Sequence, residues 1–201
     1  MSWLYQKFFA AAANTGVITI ALTGVLSLAF VDQARAVNCV NGPAQDWVET
    51  ANDPPAVDER AIMKLIHRYN WALDKHESGS LADLFASAVV YELCNAAGEQ
   101  LTQKNGEGQL QGYLNDYFDE FEVYKSQPRH IESNTLLHAV DANTVQGKTT
   151  VVVTLQHSDI ETPVLDYTGE FRTEFEKSAD VWRFSKMTVI VDGPQLTLRA
   201  R

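Results

Sequence analysis

Residues 59–85 read ERAIMKLIHRYNWALDKHESGSLADLF, and this stretch decides the fold. Its apolar residues recur at helical spacing over about four turns: Ile62, Leu65, Ile66, Tyr69 and Leu73. Asp58 and Glu59 lie where acidic side chains favour the start of a helix. The SGS break at 78–80 ends that helix and caps a short second one, predicted over residues 81–85. The segment therefore predicts two helices whose apolar face packs against another part of the fold.

The rest of the chain is predicted to form strands and a third helix. Polar breaks separate segments that alternate or are rich in β-branched residues, which is typical of strands. The predicted strands are residues 88–93, 100–102, 129–139, 144–157, 169–177 and 181–191. A third helix is predicted over residues 107–121. Helices followed by a run of antiparallel strands indicate one α+β domain.

The N-terminus predicts export. Lys7 precedes an uncharged apolar run at 16–30, and Ala34 and Ala36 are the small residues of a signal-peptidase site. We expect residues 1–36 to be a signal peptide, which would leave a secreted or periplasmic protein without stable membrane insertion. The alternative is an uncleaved anchor. The remaining segments are a tail at 37–56, one domain at 57–192 and a C-terminal tail at 193–201.

The net charge and the two cysteines narrow the possible classes of function and the expected covalent structure. The chain has 201 residues and a formal net charge of −10, with no basic stripe that could neutralise phosphates, so nucleic-acid binding is not expected. Its two cysteines, Cys39 and Cys94, would follow the signal peptide. In an exported protein they could form a disulfide or remain two free thiols, and the sequence leaves both alternatives open.

The candidate chemistry lies in the segment RHIESN, at 129–134. Strand alternation puts His130, Glu132 and Asn134 on one face. That face could line a pocket or be an ordinary solvated surface. His130 is the strongest candidate, because only histidine titrates near neutral pH without perturbation and can both take and give a proton. Glu132 could be an acid or base, or could be neutralised by Arg129 or Arg172.

The segments RYNWALD and LADLF near the start, RHIESN in the middle, and GEFRTEF with VWRFSKM near the end resemble the SnoaL-like branch of the nuclear transport factor 2-like superfamily. The resemblance implies a cone-shaped barrel, in which a strongly curved antiparallel sheet wraps around N-terminal helices and encloses a pocket. It implies a catalytic pair, Asp74 and His130, with Asn134 hydrogen-bonded to substrate. A homodimer is also implied.

The chain departs from the scytalone dehydratase-like pattern of that branch at two places. Leu73 stands where the dehydratase pattern has a tyrosine, immediately before the matching Asp. The strand after His130 offers Thr149, Thr150 or Val151 where a second histidine is expected. Tyr69, Tyr91 and Tyr167 could supply a substrate-binding phenol from elsewhere.

Three functions remain from this reading. The first is a cofactor-independent lyase or isomerase that dehydrates, isomerises or cyclises a small apolar organic molecule. The second is a non-catalytic ligand-binding module on the same fold, and the third is a purely structural, dimerising protein. A metal site is not expected, because His130, His138 and His157 lack tight ligand spacing.

Overall fold

The computed structural model of the protein describes Cys39 and residues 52–193. The predicted signal peptide, nearly all of the N-terminal tail up to residue 51 and the C-terminal tail from residue 194 lie outside the described residues. Within the described part, no helix is both long enough and apolar enough to cross a membrane.

The first helix carries the predicted apolar stripe into the core. Helix α1 is Ala56–Lys75, and all five predicted stripe residues are buried, with Asp74 buried in its last turn. The helix ends at His76, whose left-handed backbone (φ 57°) turns the chain away. Helix α2 is Ser78–Ala82 and helix α3 is Glu107–Tyr124.

Six strands form one sheet around these helices. They are β1 Phe85–Asn95, β2 Gln100–Asn105, β3 Ser126–Ala139, β4 Thr144–His157, β5 Val164–Ser178 and β6 Val181–Val191. Their order in the sheet is β2-β1-β6-β5-β4-β3. Across the described residues the sheet does not close, because β2 and β3 remain at opposite edges. This is the α+β architecture that the sequence predicted, with a curled rather than sealed sheet.

One strand pairing departs from the expected antiparallel arrangement, although the sheet is mostly antiparallel. Strands β1 and β6 run parallel, with Tyr91 opposite Met187, whereas the other neighbours are antiparallel. The chain passes through α3 to the far edge and returns as the meander β3 to β6. That path brings β6 beside β1 in the same direction.

Several predicted boundaries were also wrong, among them the start of β5, which begins at Val164 rather than at Gly169. The second helix was expected over residues 81–85, but α2 ends at Ala82 and Phe85 opens β1, where it is buried opposite Phe184. Strand β3 was expected to follow Pro128, yet it begins at Ser126 and includes the proline. Because β3 is an edge strand, a residue without an N–H costs no ladder hydrogen bond there.

The inner face of the sheet packs on α1 and α3 through aromatic side chains. Tyr69 of α1 meets Phe85, Phe171 and Phe184 with ring centroids 5.6–5.9 Å apart. The start of α1 is fixed to the last hairpin, because Asp58 accepts hydrogen bonds from Lys177 and from the Trp182 indole, each 2.9 Å long. The C-terminal end of α1 is held against β3 by Gln127, whose Nε2 donates to the Asp74 backbone carbonyl at 2.6 Å.

Candidate functional site

Asp74 and His130 meet where α1 packs on the edge strand β3. Asp74 Oδ1 lies 2.7 Å from His130 Nδ1 and also accepts the His130 backbone N–H at 3.0 Å. One carboxylate oxygen therefore fixes both the imidazole and the backbone that carries it. Because an ionised carboxylate only accepts, the network assigns the proton to His130 Nδ1 and leaves Nε2 for other chemistry.

The His130 ring closes one side of an internal cavity. Its side chain is only 1% exposed, and that of Asp74 is 10% exposed. The cavity is narrow, because a water molecule's centre can occupy only about 20 Å³ of it. Tyrosines dominate the lining contributed by α1, α3, β1 and β5: Tyr69, Tyr91, Tyr113, Tyr117 and Tyr167. The site is thus a narrow aromatic chamber with one imidazole in its wall.

These tyrosines are hydrogen-bond donors rather than anions. Burial raises the pKa of Tyr91, Tyr117 and Tyr167 well above the ordinary phenol value. Burial also raises the pKa of Tyr69, and a hydrogen bond from Tyr91 partly offsets that rise. Each hydroxyl therefore keeps its proton at neutral pH, and all but Tyr91, which already donates to Tyr69, can donate it to a carbonyl or hydroxyl oxygen of a ligand.

The structure brings Tyr69, Tyr91 and Tyr167 into one lining, as the sequence suggested, and adds two residues that sequence reasoning missed. Tyr113 and Tyr117 lie on the apolar side of α3 and pack against the core. Their spacing of four residues puts both phenols on one helix face, and that is the signal that could have identified them. Both remain half-buried.

Glu132 lies outside the cavity lining, two residues along β3 from His130. Its Oε1 is 2.8 Å from His67 Nε2, and its Oε2 accepts a hydrogen bond from Asn70 Nδ2. Burial raises the pKa of Glu132, which these two partners partly offset. The expected partners Arg129 and Arg172 are wrong, because α1 packs directly over this part of β3 and supplies the partners instead.

Asn134 does not join His130 on the inner face. The register with β4 shifts between Ser133 and Leu136, and Asn134 adopts a left-handed backbone (φ 53°) and is exposed. A bulge interrupts the two-residue alternation on which the prediction rested. The prediction of its face was therefore wrong, and Asn134 is not part of the candidate site.

The described residues also contain a disulfide close to the cavity, and they lack a cluster of side chains suited to a metal ion. Cys39 and Cys94 form a disulfide with an S–S distance of 2.01 Å, which fixes the N-terminal segment to the end of β1 next to the cavity-lining Leu93. No group of three or more His, Cys, Asp or Glu side chains in this part of the chain could hold a metal ion. The chemistry that the arrangement offers is therefore that of an imidazole, a carboxylate and phenols.

Comparisons with known proteins agree with this arrangement. The model of the SnoaL-like domain family matches residues 55–188, about two thirds of the chain. A search of curated proteins found no match.

Solved structures share the fold at low sequence identity. A proposed scytalone dehydratase from Novosphingobium aromaticivorans is 18% identical, with a TM-score of 0.56 over 68% of this chain and 85% of that one. LinA is 21% identical, with a TM-score of 0.57 over 68% and 87% of the two chains. ActVI-ORFA from Streptomyces coelicolor is 16% identical, with a TM-score of 0.58 over 67% and 97%. At these identities the likeness establishes the fold alone.

Proposed function

The chain belongs to the SnoaL-like domain family, and from that premise we propose that it is a cofactor-independent lyase or isomerase for a small, largely apolar organic molecule. The observation that most supports this proposal is the 2.7 Å contact between Asp74 and the His130 ring, which lines an aromatic cavity. The reaction would be a dehydration, an isomerisation or a cyclisation, each of which needs a proton to be removed from one atom and delivered to another.

In this proposal His130 is the general acid and base. Its Nε2 takes a proton from the bound molecule and returns it to the leaving or receiving atom. Asp74 holds the ring in the tautomer that presents a bare Nε2, and it stabilises the positive charge that the ring acquires. The two hydrogen bonds to Asp74 Oδ1 support this role, because the backbone N–H of His130 holds the carboxylate in place and the carboxylate in turn orients the ring.

The phenols would stabilise negative charge on the substrate. A neutral tyrosine hydroxyl can donate to an enolate or alkoxide oxygen as charge develops there, in a chamber from which water is largely excluded. Leu73 replaces the tyrosine of the dehydratase pattern, but five other phenols line the same space. The aromatic walls favour an apolar ring system as ligand, with an oxygen as its polar handle.

A specific observation favours a second candidate, a non-catalytic binding module. The cavity admits little more than one water molecule as it stands, so any ligand must displace side chains on entry. The half-buried Tyr113 and Tyr117 on α3 are the side chains best placed to move. A module that only binds would need that opening but not the Asp74 contact.

The experiment is a turnover assay on small hydroxylated and carbonyl-bearing ring compounds with wild type, His130→Ala, His130→Gln and Asp74→Asn. We expect turnover by wild type and a loss of about 10²- to 10⁴-fold in each variant, with ligand binding retained. Binding without turnover in wild type would favour the second candidate. Turnover that survives in His130→Ala would overturn the proposed mechanism.

We also propose that the protein is exported, with residues 1–36 removed as a signal peptide, and that it forms a homodimer. The apolar run at 16–30 followed by Ala34 and Ala36 supports the first statement. N-terminal sequencing of the protein purified from its host tests it, with Val37 as the expected first residue. Sedimentation analysis of the same material tests the dimer.

A further inference from the structure

The Asp74–His130 pair separates two spaces of very different access. His130 lines the narrow cavity, whereas Asp74 lines an open cleft on its other side. The cleft lies where α1 and α3 end, and water-molecule centres can occupy about 550 Å³ of it, against about 20 Å³ in the cavity. Its lining is largely polar: Asp74, Lys75, His76, Phe121, Glu122, Lys125, Ser126, Gln127, Gln156 and Ser158.

The two residues are bonded so that each faces a different space. Asp74 uses Oδ1 for both hydrogen bonds from His130, and its Oδ2 has no hydrogen bond to another residue within 52–193. Gln127, which lines the cleft, donates to the Asp74 backbone carbonyl at 2.6 Å and holds this turn of the helix against β3. One oxygen of the Asp74 carboxylate is hydrogen-bonded to the imidazole, and Asp74 also borders the open cleft. Asp74 is therefore placed to exchange protons with water.

We propose that Asp74 and His130 form a proton path between the narrow cavity and the open cleft. This inference rests on the proposed acid–base function and deepens it. The proton that leaves the substrate ends in bulk water on the cleft side, and the proton that the product receives is drawn from there. Asp74 is then the exit of the path as well as the residue that orients the ring.

The steps balance without a co-reactant. As the substrate's bond to hydrogen breaks, Nε2 gains the proton and the ring becomes an imidazolium. The ring then gives its Nδ1 proton to Asp74 Oδ1, and the carboxylic acid releases a proton to water in the cleft. The return runs in reverse: Asp74 takes a proton from water, Nδ1 recovers one, and Nε2 gives its own to the product.

The groups around the cleft suit such an exit. Lys75 and Lys125 provide positive charge and Glu122 provides an acceptor, with His76 Nδ1 3.8 Å from Glu122 Oε1. The His76 ring is stacked on Phe121 at 5.1 Å and does not fill the cleft. Water beside Asp74 would therefore be held by polar side chains rather than excluded.

The test needs no substrate. The exchange rate of the His130 Nδ1 proton with water is measured by magnetisation transfer from water in the purified ¹⁵N-labelled protein. Ser158→Trp fills the cleft at an exposed turn, Ser158→Ala is its matched control, and Leu114→Phe fills the cavity instead. We expect Ser158→Trp to slow exchange about tenfold, and both other variants to stay within about twofold of wild type.

Two results would overturn the proposal. Slowing by Leu114→Phe but not by Ser158→Trp would mean that water reaches the ring through the cavity. Equal rates in all variants would mean that exchange needs opening of the fold, which amide exchange in α1 would reveal independently. Neither result touches the turnover assay with His130→Ala, so failure of the path and failure of the proposed function are separable.

Discussion

Two carboxylate–imidazole pairs join α1 to β3, with the partners exchanged. In the inner pair the helix supplies the carboxylate, Asp74, and the strand supplies the imidazole, His130. In the outer pair the helix supplies His67 and the strand supplies Glu132. The nitrogen–oxygen distances are nearly equal, at 2.7 and 2.8 Å. The surroundings differ: the His130 side chain is 1% exposed and the His67 side chain 56%.

The surroundings, rather than the contact itself, therefore decide what a carboxylate–imidazole pair can do. An ion pair at the surface is screened by water, whereas the same contact in a closed space acts at lower effective dielectric. Only the inner imidazole borders a cavity with phenol donors. The outer pair is therefore expected to join helix to strand, and the inner pair to do chemistry.

The largest expected effect separates the two histidines by activity. His130→Ala should lower turnover by about 10²- to 10⁴-fold, because it removes the acid–base group from the cavity wall. His67→Ala should leave turnover within about twofold, since its ring does not reach the cavity. Steady-state kinetics on one substrate measure both. Similar losses in the two variants would erase the distinction between the pairs.

The next largest effect concerns stability at Asp74. Asp74→Ala should lower the free energy of unfolding by about 3 kcal/mol, because two buried donors of His130 lose their acceptor. Asp74→Asn is the matched control and should cost at most about 1 kcal/mol, since its amide oxygen can still accept. Urea unfolding with the disulfide intact measures both. A large loss in Asp74→Asn would show that the charge, not the hydrogen bonds, stabilises this junction.

The inner pair could be anticipated from the sequence, and the shape of its surroundings could not. Helical periodicity fixed α1 and its buried face, so that Asp74 next to Leu73 was expected to point toward the sheet. The resemblance of RYNWALD and RHIESN to the family then suggested Asp74 and His130 as partners. Both clues are local, and local patterns are what a sequence displays directly.

The features that the sequence did not reveal depend on contacts between segments that are far apart in the chain. The parallel pairing of β1 with β6 and the bulge at Asn134 follow from how strands meet, which alternation within one strand does not reveal. The contact between His67 and Glu132 is of this kind, because nothing in α1 shows that Glu132 will lie beside it. The same holds for Tyr113 and Tyr117, because an apolar helix face looks the same whether it meets a core or a cavity.

The third effect is a pH dependence of opposite sign at two carboxylates. Burial raises the pKa of Glu132 above its ordinary value of 4.5, so the folded state holds this proton more tightly than the unfolded state. Its contribution to stability therefore falls as pH rises from 4.5 through the folded pKa. Glu132→Gln should gain stability relative to wild type across that window. Unfolding curves at several pH values measure the difference.

Asp58 is the control for that sign. Its hydrogen bonds with Trp182 and then Lys177 lower the pKa of Asp58 below 3.8, so its contribution is present above that pH and is lost as pH falls through the folded pKa. Asp58→Asn should therefore lose stability relative to wild type at neutral pH and approach it in acid. The same sign for both variants would contradict the assigned environments.

The smallest expected effect is the coupling energy of the outer pair. A double-mutant cycle on His67→Ala and Glu132→Ala should give about 0.5 kcal/mol, because the half-exposed imidazole is screened by water. The same cycle on Asp74→Ala and His130→Ala should give about 2 kcal/mol, since both side chains are enclosed and joined by the 2.7 Å hydrogen bond. Unfolding at one pH and ionic strength keeps the cycles comparable, and added salt should reduce only the outer coupling. An outer coupling as large and as salt-resistant as the inner one would mean that Glu132 and Asn70 shield His67 despite its exposure, and the outer pair would then become a second candidate for chemistry.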